Sequence, residues 1–188
     1  MPTLPIDIVV AAHKATRRFM FETLVAIGAL DVTDGHDIDR SLNLLERLLE
    51  VLGETRDDWR DTIHGLRHGA ASQRRGLAAR LYRDLAELVS RELARLQRRE
   101  AQAGAQPAAV ALERLDDDEL RGALHWMEGA LTPQELAGLL DQLHTHANAP
   151  RFNLALAVLA ERMDNRRWHQ LARALDLHRD TAPVALAA

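Results

Sequence analysis

A chain of 188 residues that is 47% hydrophobic but only 4% aromatic builds its core from leucine, alanine and valine. Its net charge of −4 leaves no overall basic field to hold nucleic acid. With no cysteine, disulfides, thiol catalysis and iron–sulfur ligation are excluded.

The length suits one domain, or one domain with an extension. No apolar run approaches the roughly 18 residues of a membrane span. Charges return early at His13-Lys14, against the order of a signal peptide, and Lys14 is the sole lysine. The expectation is a cytoplasmic protein with neither nucleic acid nor membrane as partner.

Nearly every periodic segment reads as helix, and alternating strand patterns are absent. A first helix is expected from Asp7 to Leu30. Val9, His13, Met20, Leu24 and Ile27 share one stripe of it, with a histidine at the centre of an apolar face. Asp31 to Gly35 forms a turn. A second helix runs from Asp37 to Leu52. Its stripe is Ile38, Leu42, Leu45, Leu49 and Leu52, widened by Leu44, Leu48 and Val51, and Gly53 stops it.

From Glu54 to Gly76 the pattern weakens. Trp59, Ile63, Leu66 and Ala70 make a short stripe, and three glycines each cost about 1 kcal/mol. A break is expected near Ala71-Ser72. A long helix follows from Gln73 to Gln102 with a core face of Ala78, Leu81, Leu85, Leu88, Val89, Leu93 and Leu96. Residues 103–110 read as a linker. Beyond it come short helices. The first is capped by Asp117 or Asp118, and the second opens at the Thr132-Pro133-Gln134-Glu135 capping box. Two more open near Pro150 and at Asn165. The tail from Thr181 is expected to fray.

Four groups invite a chemical reading. His13 is either a metal ligand inside a bundle or a buried histidine bonded to another helix. His64 and His68 have the i, i+4 spacing that can chelate a metal, yet they project away from the Trp59–Ile63–Leu66 face. Glu46 lies about 80° from Ile38, at the edge of its stripe. Glu92 lies within the stripe of Leu85, Leu88 and Leu96, where a lone carboxylate is costly. It is either a ligand or one half of an ion pair with Arg17, Arg95 or Arg99. The favoured expectation is a buried polar cluster of His13, Arg17 and Glu92. No serine has a histidine and an acid arranged around it, and no phosphate loop is present.

Several of these stretches resemble bacterial hemerythrin-like proteins. Leu4-Pro5-Ile6-Asp7, His13-Lys14-Ala15, Arg17-Arg18 and Phe21 to Leu24 are similar to that family's first helix. Leu81 to Leu85 resembles the start of its last bundle helix. Leu112 to Leu115 followed by Asp116 to Leu120 resembles the segment after that helix, and Trp126-Met127, Ala130-Leu131 and Pro133 to Leu140 resemble the helical extension of some members. The resemblance implies an all-α fold: an up-down four-helix bundle over 1–102, then a C-terminal extension of short helices over 111–180 packing on the bundle or on a partner subunit. In the family the bundle holds a non-haem di-iron site. Here only His13 stands in a ligand place. The second helix offers no histidine in its body, and the last bundle helix offers Arg95 and Glu100, an arginine that cannot bind iron.

The expected function is therefore a non-catalytic regulatory or interaction protein on a scaffold whose di-iron site is lost, with no cofactor. A homodimer or a protein partner would dock through the C-terminal helices. The alternative is a metal-binding or oxygen-sensing protein with a reduced non-haem iron site drawn from His13, Glu46, His64, His68 and Glu92.

Overall fold

The computed structural model describes residues 7–102, 112, 114–146 and 149–175. Among these the chain is all-helical and has no strand. The helices are α1 (Ile8–Gly28), α2 (Gly35–Leu52), α3 (Arg60–His68), α4 (Ala71–Gln102), α5 (Asp117–Glu128), α6 (Pro133–His146), α7 (Ala149–Arg162) and α8 (Asn165–Ala174), with a single 3-10 turn at Asp57–Trp59. The expected linker at 103–110 and the tail from Thr181 lie outside the described residues. Two compact units are present: one comprises Thr16–Arg98, the other Met1–Ala15 and Arg99–Ala188.

In the Thr16–Arg98 unit, α2 forms because its start and stop are both specified. The Asp34 side chain accepts from the His36 N–H at the N-cap, ahead of the expected start. Gly53 takes the left-handed conformation (φ 71°) that ends the helix, and the Glu54 N–H closes back onto the Leu49 carbonyl at 2.9 Å. Between these ends Ile38, Leu42, Leu45, Leu49 and Leu52 are buried as their spacing predicts. Val51 is not part of that face; it is 47% exposed.

The glycines after α2 have two distinct roles. At Gly65, a Cβ would meet Leu77 Cδ1 at 2.7 Å, so this glycine lets α3 lie close against α4. Gly69 ends α3 in an extended conformation, and α4 begins at Ala71. The break thus falls just before the expected place. α4 buries Leu81, Leu85, Leu88, Val89 and Leu96, and Glu92 among them.

In the other unit the short helices start at well-made caps. Asp116, one residue earlier than expected, forms a reciprocal capping box with Glu119. Thr132 and Glu135 form the second box, as the sequence predicts. Asp164 caps α8. These short helices share one core, in which Leu120, Leu124, Leu136, Leu140, Leu159 and Leu171 are joined by Leu112 and by Ala11 and Ala15 of α1. Trp126 and Trp168 pack against the same cluster.

Two glycine substitutions separate conformation from space. At Gly76, inside α4, an added Cβ meets nothing within 4 Å. Gly76→Ala is expected to stabilise by about 0.5–1 kcal/mol through helix propensity. Gly53 is equally open, but its φ is +71°. Gly53→Ala is expected to destabilise by about 1 kcal/mol. Urea unfolding of the two variants should show shifts of opposite sign.

Candidate functional site

The buried side of α1 is not the single stripe that the large side chains suggest. Ala11 and Ala15 are buried early in the helix, and Phe19, Met20, Thr23 and Ile27 later. His13 is nearly covered but lies outside that set. Its Nδ1 is 3.0 Å from Glu100 Oε1 near the end of α4, with side-chain exposures of 11% and 24%. The partner of His13 is thus the acid that the family resemblance placed in the register of a ligand.

The neighbouring residue completes a polar junction. The Lys14 Nζ donates to both Glu135 oxygens, at 2.9 and 2.7 Å. The same carboxylate accepts the Thr132 N–H at 2.7 Å and so caps α6. Burial pushes the Glu135 carboxyl up, but the Lys14 and Thr132 hydrogen bonds outweigh it and hold the group below the usual glutamate range. The stability from this pairing is present above the unfolded value and is lost as pH falls through the folded one.

Glu92 is 6% exposed, and its partner is local. The Arg95 Nη2 lies 2.6 Å from Glu92 Oε2, one turn along α4. The angle gives an ion pair without a formed hydrogen bond. Arg17, the third member of the expected cluster, is half-buried on α1. Of the three residues of the expected cluster, His13 lies against Glu100 and Glu92 against Arg95, one of the cations the sequence offered it. An i, i+3 partner on the same helix requires no tertiary geometry.

Glu46 is also held by an arginine. The Arg67 Nη1 of α3 donates to its Oε1 at 2.9 Å, and Nη2 donates to Asn43 Oδ1 at 3.0 Å. Asp39 lies 3.4 Å from the same guanidinium. The Glu46 bond pushes the Arg67 pKa above its ordinary value.

His64 and His68 are exposed, their ring centroids 4.9 Å apart and tilted by 53°. They line a cleft of about 310 Å³ with Glu46, Arg56, Arg60 and Arg67, floored by Ile63. Sequence reading singled out the histidines and Glu46 but missed the three arginines. The signal was available: Arg56, Arg60, His64 and His68 recur every fourth residue, which sets four cationic or titratable groups along one side.

A di-iron centre needs several carboxylates and imidazoles converging on shared metal positions. Among the described residues, no group of three or more histidines, aspartates and glutamates is placed to hold a metal ion. His13, Glu46 and Glu92 each face a partner side chain instead. The donor set does not fit that centre. Comparison with family models, with curated proteins and with solved structures returns no match to this chain.

Two measurements check these assignments. Stranding Arg95 costs little, since its side chain is 39% exposed and reaches water. Glu92→Leu is therefore expected to fall within about 1 kcal/mol of the parent or to stabilise it. Leu88→Ala, one turn away in the same core, should cost about 2–5 kcal/mol. A large loss in Glu92→Leu would show that the carboxylate serves a partner other than Arg95. Lys14→Met should lower stability by at most about 1 kcal/mol at pH 7, because the pair is partly exposed. That difference should shrink towards zero in urea titrations taken below the usual glutamate range of about 4.3.

Proposed function

We propose that this chain is a non-catalytic regulatory or interaction protein on a hemerythrin-like scaffold, an up-down four-helix bundle whose di-iron site is lost. One observation carries the reading. Three of the five candidate ligands are matched by a protein partner: His13 by Glu100, Glu46 by Arg67 and Glu92 by Arg95. Guanidinium groups carry a fixed positive charge and no lone pair for a metal. They neutralise carboxylates that would otherwise face a cation. The order of four helices from Ile8 to Gln102 followed by short ones agrees with this reading.

The largely aliphatic face of α2 supports it further, because Ser41 is the one polar side chain that helix buries and it buries no histidine or carboxylate. On this reading the protein acts in the cytoplasm through contacts made by its C-terminal helices, with a second copy or another protein. The rival reading, a reduced non-haem iron site or oxygen sensor, would rest on Glu46, His64 and His68, which share a cleft. Arg67 already occupies Glu46, and two further guanidiniums line the same space, so a divalent cation meets repulsion there.

The expected outcome is a colourless protein without stoichiometric iron when it is purified untagged from iron-replete cells. Elemental analysis and the near-ultraviolet spectrum check this. Two irons per chain with an oxo-bridge absorption band would refute it.

A further inference from the structure

We infer that the cleft beside α3 is an anion site that takes the phosphate group of a small molecule. This inference concerns α2, α3 and the turn between them, and it stands apart from the scaffold reading.

The cleft is lined by Arg56, Arg60, Arg67, His64 and His68, with Glu46 as its one acidic lining residue. Arg67 already neutralises that glutamate at 2.9 Å. The remaining cations have weak claims on them. Arg56 lies 3.7 Å from Glu50, and both side chains are more than half exposed, at 56% and 73%. Arg60 pairs with Asp57 on the adjacent turn, again with exposed side chains, at 72% and 71%. Such pairs contribute little, so either guanidinium can turn to a better acceptor at small cost. Arg60, His64 and His68 follow one another at i, i+4 along α3, which gathers these side chains on one side of the cleft.

The chemistry of these groups selects phosphate. Guanidiniums bind phosphate oxygens through paired N–H donors, and protonated imidazoles add further charged donors. The space of about 310 Å³ sits at the lower end of the range for small-molecule sites. Ile63 gives the cleft an apolar wall against which the carbon part of an ester can rest. The same cations disfavour a metal, although the two histidines have chelating spacing.

Nuclear magnetic resonance of the histidine ring protons in the full chain, at low ionic strength, tests this. The probes are inorganic phosphate, glycerol phosphate and zinc chloride, each added alone. The charged groups that share the cleft with His64 and His68 are Glu46 of α2, Arg56, Arg60 and Arg67; those arginines in turn meet Asp39 and Glu50 of α2 and Asp57 of the turn, and Arg74 of α4 donates to the Arg67 carbonyl. Phosphate is expected to bind in the millimolar range or tighter and to raise the titration midpoints of His64 and His68. The double variant Arg56→Gln, Arg60→Gln is expected to weaken binding by about tenfold or more. Both residues are exposed, and circular dichroism should show an unchanged helix content. Glycerol phosphate binding tighter than inorganic phosphate would assign the site to an ester; equal binding would assign it to free phosphate. Overturning results are phosphate that leaves both ring signals unmoved, binding that survives the double variant, or zinc that shifts the rings where phosphate does not.

Discussion

A buried carboxylate must be matched by a positive charge, and that constraint shapes the Thr16–Arg98 unit. α2 presents Ile38, Leu42, Leu45, Leu49 and Leu52 to the core, with the Ser41 hydroxyl as its one buried polar side chain and no buried cation. Glu92 therefore lies among leucines with Arg95 as its matching charge. Desolvation of the pair offsets much of its attraction, so it neutralises more than it stabilises. Glu46 sits at the edge of the aliphatic face, where Arg67 can reach it from α3 while Asn43 and Asp39 engage the same guanidinium. The apolar contacts supply the driving force, and the arginines make it possible to keep carboxylates beside them.

The other unit works through its helix ends. Helices of 10 to 14 residues are marginal alone. Caps at Asp116, Thr132 and Asp164 satisfy the first N–H groups, and a common leucine core does the rest. Arg167 adds a device at the opposite end: it donates to the carbonyls of Glu128 and Leu131 where α5 turns into α6. Glu135 serves twice, as the reciprocal cap of α6 and as the acceptor of the chain's sole lysine.

Local signals were legible in the sequence; tertiary partners were not. The capping box at Thr132, the glycine stop at Gly53 and the aliphatic face of α2 all depend on residues within a few positions of one another, and all stand where the pattern placed them. The face of α1 was misread because the reading weighted large side chains. Ala11 and Ala15 are buried because small residues allow close approach, and the buried direction turns by roughly 150° before Met20 and Ile27. A single periodic stripe cannot describe a helix whose two halves belong to different compact units. The same error put His13 at the centre of the face, when its partner Glu100 lies 87 residues on. Glu92 was read correctly as needing a cation, but its nearest cation was on its own helix.

α3 rests on few apolar contacts. Its nine residues bury only Thr62, Ile63 and Leu66. Gly65 gives up side-chain packing so that Leu77 can come close. The remaining hold on α3 is polar: Arg67 donates to Glu46 and Asn43 of α2, while Arg74 of α4 donates to the Arg67 carbonyl. The guanidinium that ties α3 down lines the same cleft as Arg60, His64 and His68. A segment with little buried area opens more readily than the long helices beside it. Anything that neutralises its outer cations then acts on its position as well as on its charge.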